Sequence, residues 1–127
     1  MTLKMIQAVN AAQLYSKLKD SKPPIKILYK LSKLFAALNQ EQDFYRTNLS
    51  QIIETYGMRD ENGEFIKTED GTGIRIEASK IGAAQEAIQN LMDLDVELPD
   101  IKFTLEELSS VTLTVEEFNN LLPFIAE

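Results

Sequence analysis

The sequence predicts an α+β domain that is mainly helical, and three observations lead to this fold class. Apolar residues recur at alternating steps of three and four from Leu28 to Tyr56, a heptad pattern typical of one long helix. Segments 11–19 and 79–92 have apolar residues at helical spacing. Short runs near the N terminus and after residue 95 alternate apolar with polar side chains, as in strands. We expect a helical hairpin with one long helix, a second helix packed on it, a small antiparallel sheet and a short C-terminal helix.

Length and composition fit one domain over residues 1–127. The chain has 127 residues, of which 44% are hydrophobic, enough for a modest core. It has no cysteine, which excludes disulfides and suits a reducing compartment. The first residues lack the pattern of a signal peptide, and no segment approaches 18 consecutive apolar residues. We therefore expect a soluble protein that is not exported and does not enter a membrane.

The N-terminal elements precede the long helix. Residues 2–6 alternate and predict a strand, with Leu3 and Met5 on one face. Asn10, with Gln13 three residues later, resembles a helix N-cap, so a first helix is expected at 11–19.

The long helix itself is expected over 24–56. Pro24 suits its first turn, Gly57 suits the residue after its end, and its length would be about 50 Å. Within it, the apolar seam is interrupted only by the polar Gln42. The seam consists of Leu28, Leu31, Phe35, Leu38, Tyr45, Leu49, Ile52 and Tyr56.

The middle of the chain predicts a small hairpin and then a second helix. Turn residues at 62–63 and 70–73 separate two alternating runs at 64–67 and 73–77. The helix expected at 79–92 has apolar residues three and four apart, and we expect it to pack antiparallel on the long helix.

The C-terminal part predicts short strands and a last helix. Residues 96–98 and 101–103 alternate, and we expect both runs to meet the N-terminal strand in one sheet. Thr114 and Glu117 form a capping box ahead of a short apolar helix, which Pro123 ends or kinks.

Charge is distributed unevenly along the chain. Residues 1–46 contain eight Lys or Arg and three Asp or Glu, whereas residues 86–127 contain ten Asp or Glu and only Lys102. The simpler interpretation is that the two ends attract each other within the fold. The alternative is that the acidic end meets a basic partner.

A lysine stripe on the long helix raises the question of nucleic-acid binding. Lys26, Lys30 and Lys33 lie almost opposite the first seam residues on a helical wheel. The chain carries a net charge of −7, which opposes binding to a polyanion, and the stripe contains no Arg. We therefore favour a solvated helix face and expect no nucleic-acid partner.

The residue inventory leaves little room for catalysis. The chain has no His and no Cys, which excludes histidine-based triads, thiolate nucleophiles and the usual zinc sites. Adjacent acids at Glu106–Glu107 and Glu116–Glu117 point about 100° apart on a helix, so they do not converge on one metal ion. We predict a non-enzymatic protein without cofactor or metal.

A superficial calcium-loop pattern begins at Asp60. An EF-hand requires Gly at its sixth position and a carboxylate at its twelfth. Phe65 and Gly71 occupy these positions here, so calcium binding is not expected.

Five short segments together give the chain a family resemblance. They are Ala8–Ala12, Tyr29–Leu34, Tyr56–Gly57 with Asp60–Gly63, Val96–Pro99 and Leu122–Ile125. In this order the chain resembles small proteins of tailed bacteriophages and prophages of Gram-positive bacteria that form a domain family of unknown function. The resemblance implies a phage accessory or virion-associated role, in the host cytoplasm or the virion, and it implies no functional residues.

The leading functional prediction is a non-catalytic bacteriophage accessory protein that acts by protein–protein contact, for example in assembly of the tail region. It would self-associate through the seam residues Tyr45, Leu49 and Ile52. The alternative is an acidic inhibitor of a host defence or nucleic-acid-processing enzyme. Its contact residues would be Glu106, Glu107, Glu116 and Glu117.

Overall fold

A computed structural model describes residues 1–126, and they divide into two compact units. The first unit combines Met1–Asp43 with the segment from Asp95 onward, and the second unit is Phe44–Leu94. The fold is α+β and mainly helical, with one long helix and a small antiparallel sheet, as predicted. The prediction of a single domain over 1–127 stays a prediction.

The regular elements follow one another with short connections, apart from the segments 57–77 and 98–114. In chain order they are β1 (Thr2–Lys4), α1 (Met5–Ala12), α2 (Tyr15–Asp20), α3 (Ile25–Tyr56), α4 (Ile81–Met92), β2 (Asp95–Glu97) and α5 (Val115–Leu121). Single 3-10 turns, Ala78–Lys80 and Leu122–Phe124, precede α4 and follow α5.

The sheet joins the two ends of the first unit. β1 and β2 pair antiparallel with Leu3 opposite Val96, and both of these side chains are buried. The terminal ammonium of Met1 continues the pairing by donating a hydrogen bond to the carbonyl of Leu98 at 2.9 Å. The strand predicted at 96–98 is therefore confirmed as the partner of the N-terminal strand.

The N-terminal helix begins earlier than the sequence analysis predicts. The strand ends at Lys4 and α1 begins at Met5, so Asn10 lies inside a helix and is not its N-cap. The backbone N–H of Lys4, the residue before the helix, donates to the side chain of Gln7 at 2.9 Å, so the helix begins without a Ser, Thr, Asp or Asn cap. The sequence analysis assigned Met5 to the strand because Leu3 and Met5 have the spacing of one strand face. In the structure, Met5 is instead the first buried residue of α1.

The first half of α3 supplies much of the core of the first unit. Leu31, Leu34, Phe35 and Leu38 are buried on one face, and the ring of Tyr15 in α2 packs against Phe35 with centroids 5.2 Å apart. α2 and α3 thus form the predicted helical hairpin, but the single helix expected at 11–19 is divided between the end of α1 and α2.

Both ends of α3 agree closely with the sequence. The carbonyl of Pro24 accepts hydrogen bonds from the N–H groups of Ile27 and Leu28 at 3.0 and 2.9 Å. At the other end, the N–H of Gly57 donates to the carbonyl of Ile53 at 2.7 Å.

The C-terminal segment folds back on the core of the first unit. Residues 101–103 were expected to join the N-terminal strand, but Phe103 instead forms a parallel bridge with Ile125. Phe103 and Phe124 are both buried there, and burial of these rings accounts for the different pairing. α5 follows the predicted capping box, with Thr114 Oγ1 accepting from the N–H of Glu117 at 3.1 Å.

The second unit contains isolated bridges in place of a regular hairpin. Lys67 pairs with Ile74 as predicted, but Arg59 also pairs with Phe65, and Gly57 with Ile76. The chain that leaves α3 is thus a third extended segment beside the two predicted runs.

α4 begins at Ile81, so the predicted second helix is present. Ile52 and Tyr56 of α3 line a groove together with Ala87 and Leu91 of α4. Among residues 44–94, only Ala84 and Leu91 are fully buried.

Candidate partner-binding surfaces

The predicted contact residues of the seam are only partly covered. Tyr45, Leu49 and Ile52 are each half-buried, and the neighbouring Phe44 is 48% exposed. Along the same helix, the apolar face changes from full burial at residues 31–38 to partial burial after residue 44.

The groove between α3 and α4 has a volume of about 360 Å³ and a mixed lining. The polar residues that line it include Asn48, Gln51 and Thr55. Asn48 Nδ2 donates to the carbonyl of Phe44 at 2.9 Å, and Thr55 Oγ1 donates to that of Gln51 at 2.8 Å. Two of the polar side chains that line the groove, Asn48 and Thr55, therefore bond to the backbone of their own helix.

Glu107 binds groups from two parts of the first unit. Its carboxylate accepts from the N–H of Thr104 at 2.8 Å and pairs with the Lys30 ammonium at 3.1 Å. These hydrogen bonds, Thr104 first and then Lys30, hold the pKa of Glu107 below the usual glutamate value. One lysine of the predicted stripe is therefore engaged within the unit.

Glu117 repeats this arrangement on α5. Its carboxylate pairs with Lys17 at 2.7 Å and accepts from the N–H of Thr114 at 2.9 Å. The hydrogen bond from Lys17, followed by that from Thr114, lowers the pKa of Glu117.

Charged residues from the two ends of the chain form ion pairs with each other inside the first unit. Lys4 forms an ion pair with Asp95 at 2.8 Å, alongside the Lys17 and Lys30 pairs already described. In each pair a lysine before residue 31 meets an acid after residue 94. Attraction between the two ends of the chain, the simpler interpretation, is present in the fold.

The other two acids singled out from the sequence are exposed. Glu106 and Glu116 directly follow Leu105 and Val115, which lie on the rim of an apolar groove of about 340 Å³. The groove is lined by Leu105, Leu108, Val111, Leu113, Thr114, Val115 and Phe118. Sequence reasoning missed the groove: Val115 was assigned to the apolar face of the last helix, and Leu105, an apolar residue outside any helical periodicity, was the visible signal.

Acidic side chains in and near the calcium-like segment accept hydrogen bonds within turns. Asp60 Oδ1 accepts from the N–H groups of Asn62 and Glu64 at 2.9 and 3.1 Å. Nearby, hydrogen bonds from the hydroxyl of Thr68 and the N–H of Thr72 lower the pKa of Asp70. Within residues 1–126, no three acidic side chains are grouped so that they could hold a metal ion.

None of the helices between residues 1 and 126 is long and apolar enough to cross a membrane. Comparisons with models of known protein families, with curated proteins and with solved structures found no match. The resemblance to phage proteins therefore stays a prediction.

Proposed function

We propose that this chain is a non-catalytic interaction protein, in the manner of a bacteriophage accessory protein, that self-associates along the second half of α3. The observation that carries the proposal is the change in burial along one helix. Its apolar face is fully covered at residues 31–38 and only half covered at Tyr45, Leu49 and Ile52.

The spacing of these side chains supports a helix as the partner. Steps of four, three and four connect Tyr45, Leu49, Ile52 and Tyr56, which is the spacing that presents a continuous stripe to a facing helix. The stripe extends over about 17 Å. Each 100 Å² of apolar surface that a partner removes from water would contribute about 2.5 kcal/mol before the costs of association.

A tail-region or assembly role in the host cytoplasm or the virion is the setting in which we place this activity. Structural proteins of virions act as repeated copies, and a heptad seam that is only partly covered within one chain is a common way to join copies.

Light scattering across a range of protein concentrations tests the proposal. The wild type is expected to form dimers or larger species that persist at high salt, because apolar contacts are not screened. The variant Tyr45→Gln/Leu49→Gln should be monomeric under the same conditions, because it removes apolar surface from the seam without touching the groove lining.

The matched control is Arg46→Gln/Thr47→Gln, which changes the two exposed residues between the seam positions. It should associate as the wild type does. A monomeric wild type at every concentration, or unchanged association of the seam variant, would reject the proposal.

A further inference from the structure

The most exposed apolar side chains of the first unit occur in two pairs. Among the large apolar residues in 1–126, Ile25, Tyr29, Leu105 and Val115 have the highest exposed fractions, at 78%, 61%, 62% and 80%. Two of them begin α3 and two line the groove described above. Apolar surface grouped in this way is typical of interaction sites.

Opposite charges surround the two pairs. On α3, exposed Lys26 follows Ile25, and the ammonium of Lys33 lies 4.9 Å from the centre of the Tyr29 ring. These four residues share the outward face of the helix, away from buried Leu31. We call them the basic patch.

The groove pair carries the opposite charge. Exposed Glu106 and Glu116 follow Leu105 and Val115, and within residues 1–126 neither acid forms an ion pair with a lysine as Glu107 and Glu117 do. We call the groove with these two acids the acidic groove. Its floor includes buried Leu108 and half-buried Phe118.

We propose that the acidic groove of one copy binds the basic patch of a second copy, in a contact that is separate from the α3 seam. Both surfaces combine two protruding apolar side chains with two charges, and the charges are of opposite sign. The chain therefore carries both halves of a complementary interface.

A contact between two different surfaces joins copies head to tail. The joined pair then retains one free patch on the first copy and one free groove on the second, so further copies can add and the contact produces a closed ring or an open chain of copies. The interface is small and charged at its rim, which predicts weak association that salt reduces.

Reciprocal charge reversal tests the contact directly. The groove variant Glu106→Lys/Glu116→Lys has two basic surfaces, and the patch variant Lys26→Glu/Lys33→Glu has two acidic ones. At low salt each variant alone should associate at least about tenfold more weakly than the wild type, because like charges now face each other. An equimolar mixture should regain association, because every groove then finds a patch of opposite sign.

Three pairings result: the groove variant with itself, the patch variant with itself, and the two variants with each other. They also separate this contact from the seam. Both variants keep the seam intact, so it contributes equally to each pairing, and differences among the pairings report the groove contact alone. Sedimentation of labelled variants measures them. Equal association in all three pairings, or no recovery in the mixture of variants whose circular dichroism matches the wild type, would overturn the proposal.

The charge control is Glu61→Lys/Glu86→Lys, which reverses two exposed acids of the second unit. It shifts the net charge by the same amount as the groove variant and should associate with the wild-type affinity. Weakening equal to that of the groove variant would show a general effect of charge and would also overturn the proposal.

Discussion

At the scale of single residues, two glutamates combine helix-cap geometry with long-range ion pairing. In Thr104-Leu-Glu-Glu107, the N–H of Thr104 donates to Glu107 and the N–H of Glu107 donates to Thr104 Oγ1, at 2.8 and 3.1 Å. Thr114 and Glu117 form the same reciprocal pair ahead of α5. The capping box of Thr114 and Glu117 was predicted from the sequence. The capping box of Thr104 and Glu107 was missed because it is followed by a turn and not by an apolar helix.

Glu107→Gln should destabilise the protein in a pH-dependent way. The folded pKa of Glu107 lies below its unfolded value of about 4.3, so the unfolded state binds more protons as pH falls through this range. The stabilisation is complete above that value and disappears as pH falls through the folded pKa. We expect a loss of about 1 kcal/mol or less at neutral pH, because the pair is partly solvated.

Urea unfolding of the Glu107→Gln variant and the wild type across acidic pH measures this difference, which should shrink as pH falls below about 4.3. Glu106→Gln is the neighbouring control and should unfold as the wild type does, since its side chain is exposed. A difference that stays constant with pH would show that the carboxylate charge is not responsible.

At the scale of the elements, the existence and ends of α3 could be predicted, but the face it buries could not be predicted completely. The heptad seam includes Leu28, which is exposed, and omits Leu34, which is fully buried. Buried positions 31, 34, 35 and 38 follow the wider apolar face of a helix in a globular core. A strict heptad describes a contact with one facing helix, and the core contacts α3 over a broader arc.

Gly57, the residue after α3, is expected to be intolerant of substitution. A Cβ atom there would lie 2.6 Å from the carbonyl oxygen of Ile53 and 2.9 Å from side-chain atoms of both Phe65 and Ile74. The backbone contact cannot be relieved by a change of rotamer. Gly57→Ala should therefore lower the free energy of unfolding by about 1–3 kcal/mol.

Gly82→Ala is the matched control for this substitution. A Cβ at Gly82 meets no atom within 4 Å, and the residue lies in the first turn of α4. Alanine there should stabilise by about 0.4–1 kcal/mol because it restricts the unfolded chain. Urea unfolding of both variants gives the two values, and equal effects would contradict the role assigned to the close contacts at Gly57.

At the scale of the whole molecule, sequence patterns were a good guide to which parts of the first unit contact each other. They were a poorer guide to how deeply each part is buried. Charge asymmetry anticipated that the two ends of the chain attract each other, as the Lys17–Glu117 pair shows, and alternation anticipated the pairing of β1 with β2. The pairing of Phe103 with Ile125 was not anticipated, because alternation identifies a strand but not its partner. The sparse burial in 44–94 was also hidden, since half-buried and fully buried apolar positions have the same periodicity.

This difference in burial predicts a difference in local stability that amide hydrogen exchange can measure. Five of the eight residues of α1 are buried, against two of the twelve in α4. Segments with few buried apolar contacts open locally at low free-energy cost. In dilute protein, amides of α4 should exchange at least about tenfold faster than those of α1, and equal protection would show that burial does not set local stability here.

The same measurement connects local stability with self-association. As concentration rises, a partner covering the seam should slow exchange in the second half of α3, because opening would then also require dissociation. Amides of α1 should not respond, and in Tyr45→Gln/Leu49→Gln neither segment should. A concentration effect confined to the seam would identify the half-covered helix face as the surface joining the copies, whereas protection that rises equally in α1 would point to a contact elsewhere.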